Sequence, residues 1–323
     1  MKNSTNLVSI AICSRNRRKH LANLVHSLKT MTTSYRFEIV AVEETDNPWQ
    51  VDGVKYIPHG VKNYGIAHAR NLAVSNANGE IIVFIDDDCS IHDNWLNNLL
   101  SPFADDSVTG VQGGVTVPVS TNAIGWAESI LGFPGGGFKR VLAARGENQR
   151  SREISTLNCA YRRRVFELIG GFDEKLRYGG EDYLFAKQAC RLGDCLFVPA
   201  AMVSHETRSN FLKIWFWFVR RGCAEIQVTR TDKLKNADLW SVLKRSLAVK
   251  FLFFLIPGII FPNLIFILIT IGLTGYISLQ YVRNFMPWKR SHASPSAILI
   301  IPIVKLAMDI AMDAGRIKMV LFD

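Results

Sequence analysis

The sequence predicts an α/β protein. A Rossmann-like, mostly parallel sheet comes first, and C-terminal membrane-associated helices follow it. Three observations predict this. Short apolar runs alternate with segments of helical periodicity over the first two thirds of the chain. Polar and acidic residues gather directly after those runs. Residues 251–282, a stretch of 32, carry no charge at all. The composition agrees. A chain of 323 residues that is 48% hydrophobic is no disordered tail, and six cysteines in that length are too few for a small disulfide scaffold.

Residues 7–13 are almost wholly apolar, as a strand buried on both faces requires. Leu21, Leu24, Val25 and Leu28 then recur at helical spacing. Residues 37–42 and 54–57 read as the second and third strands. Residues 67–77, rich in alanine, read as a helix that Asn78 and Gly79 end. Residues 80–85 read as the fourth strand, and a further strand-like run lies at 195–199. Strands alternating with helices give a parallel sheet with right-handed crossovers. Ligands of such sheets sit beyond the carboxyl ends of the strands.

The uncharged run is too long for one upright crossing and too short for two. A straight helix over it would extend about 48 Å at 1.5 Å per residue, against a hydrocarbon core of about 30 Å. Pro257, Gly258, Pro262 and Asn263 would kink or turn its first half. The reading is a helical hairpin or re-entrant pair, with residues 264–282 as its best spanning half. Basic residues stand on both sides: Lys233, Lys235, Lys244, Arg245 and Lys250 before, Arg283, Lys289 and Arg290 after. If the positive-inside rule decides, both ends face the cytoplasm. Residues 297–304 are expected to form an interfacial helix. Residues 211–221 mix aromatics with arginine, which suits either the headgroup level or a helix packed on its own domain. The formal charge of +10 is thereby assigned to anionic lipid rather than nucleic acid. Residues 1–6 are polar, and residues 7–13 are too short for a secretory h-region, so the N-terminal domain is expected in the cytosol. The cysteines form no C-x-x-C pair and are read as packed thiols.

Chemistry is therefore sought at the strand ends. After the fourth strand stand Asp86, Asp87 and Asp88. Residues 86 and 88 of an extended chain project to one side, and two carboxylates there suit Mg²⁺ or Mn²⁺ held together with substrate phosphates. The plainer reading is a solvated acidic turn. After the first strand, Ser14, Arg15, Asn16, Arg17 and Arg18 can hold phosphate or base, or simply cap a helix. After the second, Glu43 or Glu44 can accept hydrogen bonds from a base or a ribose. Glycines precede the acidic pair Glu181–Asp182, which reads either as a general base or as the favoured acidic start of a helix. His205 can ligate a metal, touch phosphate, or serve the core.

Four segments appear in a fixed order: Val8-Ser-Ile-Ala-Ile-Cys-Ser-Arg-Asn-Arg17, Asn63-Tyr-Gly-Ile-Ala-His-Ala-Arg-Asn71, Gly79-Glu-Ile-Ile-Val-Phe-Ile-Asp-Asp-Asp88, and Gly170-Gly-Phe-Asp-Glu followed by Gly179-Gly-Glu-Asp182. With these, residues 7–208 resemble a family 2 glycosyltransferase, a membrane-associated bacterial type with the GT-A nucleotide-sugar-binding fold. A catalytic domain is expected over residues 1–210, and the apolar and basic pattern above gives amphipathic linker helices over 211–245 and a membrane-embedded hairpin with an interfacial helix over 246–323. The resemblance implies that Ser14, Arg15, Glu43 or Glu44, Arg70, Asn71, Asp86 and Asp87 serve the nucleotide sugar. Asp86 and Asp88 match the D-x-D motif, with Asp88 the better metal ligand and His205 a further one. Asp182 matches the catalytic base, with Glu181 as its alternative, and Asn158 stands on the acceptor side.

The activity so implied is inverting transfer of a sugar from a nucleotide-sugar donor to a hydroxyl of a lipid-linked glycan. The setting is the cytoplasmic face of a bacterial inner membrane, in cell-surface polysaccharide or glycolipid synthesis. Mg²⁺ or Mn²⁺ is the expected cofactor, and homo-oligomerisation is left open. The competing class is a membrane-anchored nucleotide-sugar-binding subunit without transfer activity. A processive polymerase would show a Q-x-x-R-W element, and a nucleotidyltransferase a glycine-rich loop with lysine after the first strand; the sequence has neither. The segment 132–138, rich in glycine, reads as an acceptor-side lid or a plain linker.

Overall fold

A computed structural model describes residues 7–49, 51–231 and 244–322 of the protein. Residues 1–6 and the basic residues Lys233 and Lys235 lie outside that description. The chain divides into two compact units, Met1–Pro118 with Pro134–Arg177 and Glu181–Glu206, and Val119–Phe133 with Tyr178–Gly180 and Thr207–Asp323.

Among the described residues, the first unit is built on one sheet of nine strands. These are β1 (Val8–Arg15), β2 (Phe37–Glu44), β3 (Lys55–His59), β4 (Ile81–Ile85), β5 (Cys89–Ile91), β6 (Val108–Thr116), β7 (Gln149–Arg150), β8 (Asn158–Arg162) and β9 (Asp194–His205). Their order is β3-β2-β1-β4-β8-β6-β9-β5, with β7 paired to β9. The half from β3 to β4 is parallel, as the alternating pattern requires. Beyond it the sheet is mixed, because β8 runs antiparallel to both β4 and β6. Nothing periodic announces β6: its sequence, VTGVQGGVT, breaks the apolar run with three glycines and two threonines.

The crossover helices cover both faces. Helix α1 (Arg18–Thr30) buries Leu21, Leu24, Val25 and Leu28, the expected stripe, against β1 residues Val8, Ile10 and Ile12. Helix α2 (Ile66–Asn76) uses alanines, Ala67, Ala69 and Ala73, to approach the opposite face. There Phe84 meets an aromatic group of Tyr161, Phe166, Phe172 and Phe185, the last on α7 (Glu181–Leu192).

Register aligns the strand ends. Arg15 lies opposite Glu44, and Glu44 opposite His59. The antiparallel β5–β9 pair sets Cys89 opposite His205. That pair carries His205, distant in sequence, to within one residue of Asp88.

The second unit is helical. Helix α8 (Phe211–Thr231) buries Ile214 and Phe218 among Ala127, Ile130, Ile301, Val304 and Met308. Arg208 stacks on Trp217 at 3.9 Å and pairs with the fully buried Glu128. The aromatic and arginine-rich segment 211–221 thus packs one face inward on its own unit, while Phe211, Leu212 and Phe216 remain exposed. Residues 297–304, expected as a short interfacial helix, open a helix of 28 residues, Pro295–Phe322, whose inner stripe includes Ala297, Ile301, Val304 and Met308. An i,i+4 ion pair, Lys305–Asp309, lets it run on past its first charges.

Helix α9 (Leu247–Ile260) keeps Pro257 inside it, and the break falls instead at residues 261–264, before α10 (Ile265–Lys289). The two helices double back: a Cβ on Gly258 would meet Ile265, and one on Gly272 would meet Phe254. Among the described residues one helix, Pro262–Lys289, is long and apolar enough to cross a membrane, and 6% of its most apolar stretch is buried. The 14 residues of α9 reach about 21 Å, short of a hydrocarbon core of about 30 Å.

Candidate active site

The three aspartates after β4 do not continue the strand. A turn forms, closed by the Cys89 amide donating to Asp86 O at 3.1 Å. The turn, rather than strand alternation, sets the carboxylates. Asp87 turns inward, where it is 5% exposed and accepts from Ser14 Oγ at 2.6 Å and Arg17 Nη1 at 3.1 Å. Asp88 accepts from the same Arg17 Nη1 at 2.8 Å, and its other oxygen lies 3.0 Å from His205 Nε2. Ligand atoms of Asp86, Asp88 and His205 lie within 4.8 Å of one another. Two carboxylates and one imidazole are a donor set that suits Mg²⁺ or Mn²⁺.

The charges in this group differ by environment. Desolvation raises the Asp86 carboxyl above the ordinary range, and its neighbours Asp88 and Asp87 add to the rise against Arg70 and His205. Asp87 is also raised, first by burial, with Ser14 and Arg17 opposing. Burial pushes Asp88 the same way, but His205 and Arg17 outweigh it and hold that carboxyl well below the usual range.

Arg70 joins this group to the downstream acidic pair. It is 7% exposed, pairs directly with Glu181, and lies 3.9 Å from Asp86. Those two anions outweigh the cost of its burial and hold its charge. Glu181 is 4% exposed, its Oε2 has no hydrogen-bond partner among the described residues, and burial raises its pKa. Asp182, the next residue, opens α7 with more solvent access and accepts from the Tyr183 amide at 2.8 Å. One guanidinium thus separates the β4 aspartates from the Glu–Asp pair.

Asn71, one residue on from Arg70, holds a loop. Its Nδ2 donates to Phe172 O at 2.9 Å and Glu174 Oε1 at 2.8 Å, and its Oδ1 accepts from the Phe172 amide at 2.8 Å. Gly171 has φ +92, and a Cβ there would stand 2.7 Å from Asn71 Oδ1. The second and fourth sequence motifs are therefore two halves of one clamp. Asn71→Ala removes three hydrogen bonds and is expected to cost about 1–3 kcal/mol, read as a lower Tm. Asn71→Asp keeps the acceptor but sets a carboxylate oxygen against Phe172 O and Glu174 Oε1 in place of the donor, so it should recover none of the loss. An unchanged melt in Asn71→Ala would remove the clamp.

The remaining sites are placed as follows. Ser14 and Arg15 end β1, Ser14 buried and Arg15 half exposed, with Arg15 Nε 3.4 Å from Glu44 and its Nη2 on Asn63. Glu44 also accepts from the Asn63 amide at 2.7 Å. Glu43 is 1% exposed and accepts from Trp49 Nε1 at 2.9 Å and Tyr56 OH at 2.6 Å. Burial and that bond push the Tyr56 phenol up to about 12, so it remains a donor.

Asn158 requires a correction. It is wholly buried at the start of β8, donates to Gly114 O and Ala201 O at 2.9 Å each, and accepts from Trp95 Nε1 at 2.9 Å. Its amide ties the sheet together and offers nothing to an acceptor. The glycine-rich segment is also held, since Gln112 Nε2 donates to Gly135 O at 2.7 Å and Arg140 anchors Gln112 at 2.8 Å. The role of Arg17 went unread beyond its membership of residues 14–18, since no spacing rule links it to Asp88.

The family described as "Glycosyl transferase family 2" matches residues 9–170, half of the chain. The chain belongs to glycosyltransferase family 2. Among curated relatives, the Succinoglycan biosynthesis protein ExoM of Rhizobium meliloti (strain 1021) is 28% identical over 241 residues, covering 68% of this chain and 73% of that protein. An "Inactive polypeptide N-acetylgalactosaminyltransferase-like protein 5" of Macaca fascicularis is 25% identical over 269 residues, covering 72% of this chain and 57% of that protein. Among solved structures, the mannosyltransferase PcManGT from Pyrobaculum calidifontis, in complex with GDP-Man and Mn²⁺, aligns with a TM-score of 0.55 at 16% identity, over 97% of this chain and 87% of that one. The family 2 chain has the GT-A fold.

Proposed function

We propose that this family 2 glycosyltransferase moves a sugar, with inversion, from a nucleotide-sugar donor to a hydroxyl of a lipid-linked glycan. The observation that carries the reading is the single cluster in which Asp86, Asp88 and His205 stand across Arg70 from Glu181 and Asp182. A divalent cation held by Asp86, Asp88 and His205 would place positive charge against the departing diphosphate. Asp182 takes the proton of the attacking acceptor hydroxyl. Arg70 fixes Glu181 and so leaves Asp182 as the member of the pair with access to substrate. Ser14, Arg15 and Glu44 border the nucleotide. One base without a second carboxylate nucleophile supports a single displacement, hence inversion.

The lipid part rests on Pro262–Lys289 and on the exposed apolar side chains Phe253, Phe266, Ile271 and Val282. With the basic flanks, it supports a catalytic domain on the cytoplasmic face of a bacterial inner membrane. The relation to ExoM supports surface polysaccharide as the product class. The existence of a relative named inactive favours the second reading, a binding subunit without transfer; Asp88 and Asp182 both being present speaks against it.

A donor screen tests the proposal. Full-length protein in membranes, with Mn²⁺ or Mg²⁺, is expected to release nucleoside diphosphate from one nucleotide sugar when polyprenyl-diphosphate-linked glycan is added. Equal rates on a water-soluble glycan would remove the lipid acceptor. Donor binding without release on any acceptor would favour the binding subunit.

A further inference from the structure

Arg17 is the cation that already occupies the acidic end of β4. Asn16 adopts φ +51, and its amide donates to Glu44 O at 3.1 Å. This left-handed residue separates two arginines: Arg15 turns to Glu44, and Arg17 turns to the aspartates. Both hydrogen bonds of Arg17 leave from one nitrogen, Nη1, to Asp87 at 3.1 Å and Asp88 at 2.8 Å. The side chain is 50% exposed, so it is neither locked by packing nor costly to move. Arg17 is the N-cap residue of α1 through its backbone, and its side chain makes no capping hydrogen bond there.

Asp88 is therefore claimed twice. One oxygen faces His205 and the other faces Arg17. An ion seated among Asp86, Asp88 and His205 would share the Asp88 carboxylate with a guanidinium that is hydrogen-bonded to it at 2.8 Å, and the two positive charges would repel. Nε and Nη2 of Arg17 are not engaged with either aspartate. A planar guanidinium with donors to spare is well matched to a diphosphate, which it can grip with two parallel bonds.

We propose that Arg17 is a built-in counter-cation of the metal seat, which a divalent ion must displace from Asp88 and which then turns its guanidinium to the donor diphosphate. The consequence is ordered loading: the metal binds weakly alone and strongly together with the nucleotide, because only then does Arg17 have a second anion to hold. Arg17 is a positioning residue that acts through Asp88 and the diphosphate. The inference rests on the metal reading above.

The test is Mn²⁺ binding by the full-length protein in detergent, followed by the electron paramagnetic resonance signal of free Mn²⁺, with and without UDP or GDP. Arg17→Ala should bind Mn²⁺ alone about fivefold tighter, the worth of one partly exposed ion pair. The same variant should lose affinity for the Mn²⁺–nucleotide pair. Arg17→Lys, which keeps the charge, should stay near the natural protein in the first measurement. A thermal melt on each variant reports folding. Unchanged or weaker Mn²⁺ binding by a folded Arg17→Ala would make Arg17 a fixed brace and overturn the proposal alone. Absence of Mn²⁺ binding in every protein, natural chain included, would overturn the metal reading with it.

Discussion

Asp182→Asn is expected to reduce sugar transfer by about 10²–10⁴-fold, the usual worth of a general base, with donor binding nearly unchanged. The structure separates this residue from its neighbour. Glu181 is buried against Arg70, and Asp182 stands at the more accessible first turn of α7. The two substitutions should therefore fail differently. Glu181→Gln leaves Arg70 short of its buried partner, and breaking such a pair costs about 3–5 kcal/mol. It should lower Tm and activity together. Asp182→Asn should leave Tm in place and remove only the chemical step. Single-turnover transfer, donor titration and a thermal melt on both variants decide between them. If Asp182→Asn loses donor binding, or if Glu181→Gln melts like the natural protein while losing all turnover, the base is not Asp182.

Chelation of divalent cations is expected to stop transfer, with Mn²⁺ or Mg²⁺ restoring it. Asp88→Ala should stay inactive after the same addition. The residue that His205 and Arg17 hold ionised is the one whose charge the ion most needs. Loss of one preorganised electrostatic contact to a developing charge costs about 10²–10³-fold in other enzymes, so Asp88→Ala should lose at least that. His205→Ala removes one imidazole donor, leaves both carboxylates in place, and should respond to excess Mn²⁺. Transfer that continues in chelator, or an Asp88→Ala variant with ordinary turnover, would end the metal assignment.

The β4 aspartates were legible because they stand directly after an apolar strand, and ligands of parallel sheets sit beyond the carboxyl ends of the strands. Glu43 and Glu44, read as following the second strand, instead close β2 itself, with Glu43 buried against Trp49 and Tyr56. Asn158 was misjudged for the opposite reason: sequence position records a strand end but not which side of the sheet an amide fills, and Gly114, Ala201 and Trp95 claim it.

The sequence by itself determined the parallel half of the sheet, the stripe of α1 and the long apolar helix, since each depends on spacing within a dozen or so neighbours, and it determined the family through four short motifs in order. Only the tertiary structure decided that His205 meets Asp88, that Arg70 spans Asp86 and Glu181, that Asn71 clamps the loop at Phe172, and that Arg17 binds two aspartates far along the chain. Those contacts depend on strand pairing across β5 and β9 and on which way a turn throws a carboxylate. Hydrophobic periodicity carries no record of either.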